Sequence, residues 1–398
     1  MYSLGIYIHV PFCRSKCGYC DFCSVADFDG ALKDAYVKAV LRHIAESKSI
    51  ASKYTVDTIY FGGGTPTVLG QRHLIKILRA VEKAFAVSKN AEITVEANPE
   101  SADSRQLKRL RKAGFNRVSL GVQSSDDREL QALGRLHSFS GAKEAVKNAR
   151  AAGFRNLSLD LMYGLPGQSV DAFLLSVREI LSLSPEHISC YALKLEPGTP
   201  LYKASPPLPP GDEQADMYEA ATRLMENAGY GHYEISNYAK HGFRSRHNQK
   251  YWDLSEYLGF GPASHSFCGG RRFSYTKDIK AYIDGFLKGG EVLDEYEEED
   301  PINRLGEYVM LRLRTADGIE ENDFTRRFKM DFQPFAEKFK RYIEAGFASC
   351  DGRAYRLTTK GFFVSNTIIL DVLSAAEEMD LSRKSKSVKW GEKNSCAQ

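Results

Sequence analysis

The chain has 398 residues, 43% of them hydrophobic and 26% charged, with a formal net charge of +3; this is ordinary globular composition with room for two or three domains. So small a charge excludes a general electrostatic footprint for nucleic acid, and none is expected as a partner. No apolar run approaches bilayer thickness and the first residues carry no signal-peptide pattern, so a cytoplasmic protein without an integral membrane segment is expected.

β-Branched and aromatic runs predict strands near residues 4–10, 56–61, 92–97, 117–122, 156–163 and 187–193. Amphipathic patterns between and beyond them predict helices near 31–49, 71–87, 103–114, 126–133, 140–153 and 169–183. Strand–helix alternation implies parallel strands with right-handed crossovers. Six units are fewer than a closed eight-fold barrel needs, so the expected fold is α/β, a partial (β/α)6 TIM-like barrel over 1–211. A helix near 212–228 and a loop-rich stretch then complete the barrel region over 212–300. Short helices and a strand-turn-strand around Asp351-Gly352, followed by a helix from Leu357 to Leu373, predict a small C-terminal winged-helix-like α/β domain over 301–375. Residues 376–398, basic and poor in apolar residues, read as a disordered tail.

Chemistry concentrates at the ends of these strands. The first delivers Cys13, Cys17 and Cys20 at a C-x3-C-x2-C spacing into one loop, with Cys23 close behind. Three thiolates so placed can hold three corners of a [4Fe–4S] cluster and leave one iron for a ligand that is not protein. A structural zinc site more often uses two cysteine pairs across a long loop. The other four cysteines are scattered, as in a reducing compartment.

An amino acid can chelate the open iron through its amine and carboxylate. Were it the methionyl part of S-adenosylmethionine (SAM), a reduced cluster could inject an electron into the sulfonium and break a C–S bond. Gly63, Gly64 and Thr65 offer backbone for close approach, Glu96 can pair with an ammonium, Arg135 with a carboxylate, and Gln123 or Asp160 with ribose hydroxyls. Taken singly, a Gly-rich turn is usually only a turn and Glu96 or Asp160 a cap or surface charge. Their common placement at or beside strand ends favours one pocket.

The runs Tyr-Ile-His-Val-Pro-Phe-Cys, Tyr-Phe-Gly-Gly-Gly-Thr-Pro, Val-Glu-Ala-Asn-Pro, Ser-Leu-Gly-Val-Gln-Ser and Leu-Asp-Leu-Met-Tyr-Gly-Leu-Pro-Gly-Gln closely resemble the radical SAM family of oxygen-independent coproporphyrinogen III oxidases and their haem-chaperone relatives. The resemblance spans roughly residues 4–373. It implies that Cys13, Cys17 and Cys20 ligate the cluster, that Tyr7 contacts the methionyl end of SAM and Tyr19 lies near its adenine, and that Gly63, Gly64, Thr65, Glu96, Gln123, Arg135 and Asp160 bind SAM.

Two departures separate the branches. The dehydrogenases carry a further cysteine two residues after the third, where this chain has Phe22, and a long N-terminal extension, where twelve residues precede Cys13. The chaperone branch carries a His-Asn-x-x-Tyr-Trp motif, present here as His247, Asn248, Tyr251 and Trp252. The resemblance therefore implies a chaperone that carries haem as cargo to apo-haemoproteins and leaves room for a homodimer and for peripheral contact with membrane haemoproteins. The alternative is a radical SAM enzyme acting on a tetrapyrrole. The motif leaves the haem ligand open: His9, His232, His265, Cys23 and Cys268 compete with His247.

Overall fold

The structure is a computed structural model and describes residues 1–298 and 301–376. The described residues form two compact units, 1–232 with 236–298, and 233–235 with 301–376. In the first, six strands run parallel and in chain order: β1 (Tyr2–Val10), β2 (Tyr54–Gly63), β3 (Ala86–Ala97), β4 (Arg117–Gln123), β5 (Asn156–Tyr163) and β6 (His187–Ala192). A further parallel strand, Tyr257–Phe260, pairs with the free side of β1, and antiparallel strands His265–Cys268, Arg271–Tyr275 and Leu293–Glu298 continue beyond it. On the far side of β6 lies antiparallel Asn237–Ala239. The strand order is linear, and the parallel sheet is barrel-like without closing into a barrel.

The strands read as near-continuous apolar runs because both faces are covered. Leu4, Ile6, Ile8 and Val10 of β1 are fully buried, and all seven residues of β4 are buried. Helices supply the cover with one stripe each. In the helix Gln71–Ala84 the buried residues are Leu74, Ile77, Leu78 and Val81, the i, i+3, i+4, i+7 pattern. Each is worth about 1.5–3 kcal/mol of burial. Helix starts are fixed by side chains: Asp103 accepts from the Gln106 amide, Ser138 from Gly141 and Ser169 from Ala172.

β3 begins six residues earlier than its apolar run suggests. The polar segment Ser88-Lys89-Asn90 belongs to the strand because Ala86 and Val87 already pair with Thr55 and Val56 before the register shifts.

The second unit holds a three-stranded antiparallel sheet in the order Ile319–Glu320, Ala354–Leu357, Ala348–Cys350. Its helices include Glu321–Phe328 and Gln333–Glu344, and its core is a cluster of Phe324, Phe332, Phe335 and Phe339. The last helix does not begin at Leu357, which closes a strand. Thr358 caps a short helix, Thr359–Phe363, and helical backbone resumes over 365–376. The basic tail expected over 376–398 lies, after residue 376, outside the described residues.

Candidate functional site

The carboxyl ends of β1 to β5 converge on one cavity of about 320 Å³, lined among others by Cys13, Cys17, Tyr19, Cys20, Gly63, Gly64, Thr65, Glu96, Gln123, Arg135 and Asp160. Residues from five separate strand ends meet because a parallel sheet aims all its carboxyl ends the same way.

The cysteine loop is closed at its base, where the Val25 amide donates to the Pro11 carbonyl at 2.8 Å and Cys13 donates to Val25 at 3.0 Å. Its middle is docked by the Gly18 amide on the Leu133 carbonyl at 3.0 Å and by the Leu201 amide on the Gly18 carbonyl at 2.8 Å. The Gly-rich turn is fastened alongside: Gly64 donates to Val10 and Thr65 to Phe12, both at 2.8 Å. A Cβ at Gly64 would stand 2.8 Å from the Phe12 carbonyl and 3.0 Å from the Cys13 sulfur, so only glycine lets the two loops touch.

Cys13, Cys17 and Cys20 are free thiols. Thr65 Oγ1 lies 3.6 Å from the Cys13 sulfur and Arg135 Nη1 donates to the Cys17 sulfur at 3.4 Å. Donors to sulfur suit thiolates that hold an iron–sulfur cluster. Burial pushes the Cys13 and Cys20 thiols up, so loading a cluster must displace their protons. Among the described residues no three His, Cys, Asp or Glu side chains surround a single ion position. A four-iron cluster does not require it, because each thiolate meets its own iron. The donor set and the shared cavity fit such a cluster.

Glu96 sits at the end of β3. Its carboxylate accepts from the Tyr60 hydroxyl at 2.7 Å and from the Gly63 amide at 3.3 Å. Burial raises its pKa to about 7, against the lowering effect of the Tyr60 bond, with Asp160 adding to the rise. Asp160, also raised by burial, accepts from Ser119 at 3.3 Å. Gln123 ends β4 at φ 72°, the left-handed region that a side chain enters rarely, beside a register shift between Gly121 and Gln123. Arg135 also donates to Asn98 Oδ1 at 2.8 Å and the Gly121 carbonyl at 2.6 Å, and Asn98 in turn donates to Thr65 at 3.1 Å. Asn98 is the residue that reasoning on single side chains passed over. Its place in the Glu-Ala-Asn-Pro run was the available signal.

A second cavity, of about 900 Å³, adjoins the first. Lys16, Phe22, Ser24, Gly63 and Glu96 line both. Tyr7, His9, Cys23, Tyr251, Tyr257, His265, Lys277 and Lys280 line the larger one alone.

Of the His-Asn-x-x-Tyr-Trp motif, carried by the helix Arg246–Trp252, Tyr251 alone lines either of these two cavities. His247 is 1% exposed, with Nδ1 2.8 Å from the Thr58 hydroxyl and Nε2 2.9 Å from the Tyr251 hydroxyl. Burial lowers its pKa to about 3, so the ring is neutral. Asn248 and Trp252 line neither cavity. Nor do His232, which stacks on Tyr238 with ring centres 4.3 Å apart, and Cys268, which bonds the Tyr54 hydroxyl at 3.5 Å.

A partial parallel barrel whose first loop presents three cysteines beside a Gly-rich turn defines a radical SAM protein. Residues 7–180 match the Radical SAM superfamily and residues 300–364 the HemN C-terminal domain. The haem chaperone HemW of Bacillus subtilis is 35% identical over 91% of this chain and 97% of its own length, and that of Escherichia coli 34% over 92% and 97%. HemW of Haemophilus influenzae is 37% identical over 81% of this chain and 85% of its own. The chain belongs to the HemW family. The solved structure of the E. coli coproporphyrinogen III oxidase HemN, a radical SAM enzyme, superposes with a TM-score of 0.82 at 20% identity, covering 93% of this chain and 90% of that one. That likeness shows a shared fold. Membership of the radical SAM family implies a [4Fe–4S] cluster and SAM. No helix among the described residues is long and apolar enough to cross a membrane.

Proposed function

We propose that this protein is a haem chaperone: it binds haem and hands it to apo-haemoproteins from a scaffold that holds a [4Fe–4S] cluster and SAM. The observation that carries this reading is its likeness to three bacterial haem chaperones, at 34–37% identity over four-fifths or more of this chain. Cys13, Cys17 and Cys20 hold the cluster. Glu96 takes the methionyl ammonium and Arg135 the carboxylate, with the Gly63 and Gly64 backbone and Thr65 beside them; Thr65 and Arg135 also reach the Cys13 and Cys17 sulfurs. Gln123 and Asp160 face the ribose and Tyr19 the adenine, whereas Tyr7 stands in the larger cavity, beyond the Gly63 and Glu96 wall that the two cavities share. Together their polar groups pair with a charged ligand whose burial would otherwise cost several kcal/mol. A cluster bound there supplies an electron or a chelating iron.

The test uses the full chain, purified and reconstituted anaerobically. It should bind haem, pass it to an apo-haemoprotein, and leave coproporphyrinogen III unchanged. Decarboxylation of the porphyrinogen without haem transfer would overturn the reading. Replacing Cys17→Ser should abolish the brown cluster absorbance, and its persistence would overturn the ligand set.

A further inference from the structure

The larger cavity offers a place for an iron porphyrin. At about 900 Å³ it stands near the top of the ~300–1,000 Å³ range of small-molecule sites, and its lining contains the three things such a ligand needs.

The first is an uncommitted imidazole. Two histidines line the cavity, His9 and His265. His9 is spent: Nδ1 lies 3.1 Å from the Tyr7 hydroxyl and Nε2 2.8 Å from the Cys23 carbonyl. His265 is exposed, and its ring makes no hydrogen bond or ion pair among the described residues. It is also rigidly mounted, on the strand His265–Cys268 in register with Arg271–Tyr275. The thiol on this wall, Cys23, is half-buried and donates to the Lys277 carbonyl at 3.2 Å.

The second is a set of cations for carboxylates. Lys277 and Lys280 are exposed on the same wall, and neither makes an ion pair among the described residues. Lys16 stands on the cysteine loop, donating to the Phe22 carbonyl at 3.3 Å. Of the lining acids, Asp278 accepts the amides of Lys280 and Ala281 as a helix cap and Glu96 is bonded to Tyr60 and Gly63, while Asp21 is exposed. The third is flat apolar area. Phe22 is 63% exposed, far above the norm for its type, and Tyr251 and Tyr257 face the same space.

We infer that this cavity is the haem site, with His265 as the axial ligand of the iron, Lys277 and Lys280 pairing with the propionates, and Phe22 against the macrocycle. The inference rests on the chaperone reading. In it, His247 is a positioning residue: its bond to the Tyr251 hydroxyl holds that ring on the cavity wall.

Haemin is titrated into the reconstituted full chain and followed by its Soret band and iron ligand-field spectrum. H265A should lose the imidazole-ligated spectrum and bind haemin at least tenfold more weakly, while keeping cluster absorbance and SAM binding. Added free imidazole should restore the spectrum. The double variant K277A/K280A should weaken haemin at least fivefold, yet leave the affinity for haem dimethyl ester, which lacks free carboxylates, unchanged. An H265A protein with the wild-type haem spectrum would overturn the ligand assignment. Equal weakening of haemin and its ester would overturn the role of the lysines. Failure of the wild-type chain to bind haemin at all would overturn the chaperone reading itself, and this site with it.

Discussion

Glu96 shows what one buried carboxyl costs and what it is for. Its pKa of about 7, against an ordinary 4.5, means that the folded chain holds a proton there which the unfolded chain has already released between those two values. The folded state binds more protons in that window, so its stability falls as pH rises from about 4.5 to 7. The whole shift is worth about 3 kcal/mol. An E96Q chain keeps the hydrogen-bond acceptor without the charge. It should unfold at higher temperature than the wild type at pH 8, converge with it below pH 4.5, and lose SAM binding. Calorimetry at the two pH values and SAM titration check this, and equal melting temperatures at pH 8 would show that Glu96 is not the group that titrates. At this scale the sequence was highly legible for the thiols and carboxyls, because spacing and strand ends bring them together. It was silent on Lys277 and Lys280, exposed lysines that belong to no motif. It was also silent on the burial of His247, which depends on Thr58 in β2, nearly two hundred positions away.

At the scale of elements, the site is two loops pressed together, and Gly64 is where they touch. Replacing Gly64→Ala sets a methyl group against the Phe12 carbonyl and the Cys13 sulfur. Overpacking of that kind costs about 1–3 kcal/mol. The variant should melt lower and take up less iron per chain on reconstitution, and full iron content with unchanged melting would contradict the close approach. The strands and helices were readable because hydrophobic periodicity depends only on neighbours along the chain. What escaped was set by partners: the early start of β3, dictated by pairing with β2, and the strand Tyr257–Phe260, whose place beside β1 no local pattern specifies. The C-terminal helix boundary slipped because apolar spacing runs on through Leu357 into Gly361 and Phe362, while the cap that starts the helix is Thr358.

For the whole molecule, two units with separate aromatic and aliphatic cores need not melt together. Differential scanning calorimetry should show two transitions, with a calorimetric enthalpy above the van't Hoff value. SAM added to the reconstituted protein should raise only the transition of the unit that holds the cysteine loop, since a ligand stabilises what it binds. A single transition that moves as one with SAM would refute independent unfolding. Parallel topology and the existence of a second domain were legible from the alternation of elements. The discontinuous division, in which Tyr233–Ile235 groups with the C-terminal residues, was not, because contiguity in sequence is the one thing a linear reading assumes.

Lys16, Phe22, Gly63 and Glu96 form a party wall between two chambers, and a tenant on one side is felt on the other. A sulfonium housed in the smaller room would add positive potential at the partition, drawing a doubly anionic guest into the larger one. Thermodynamic reciprocity then requires that guest to tighten the sulfonium's hold by the same factor. A SAM molecule that is never cleaved could still govern when the cargo is kept and when it is let go.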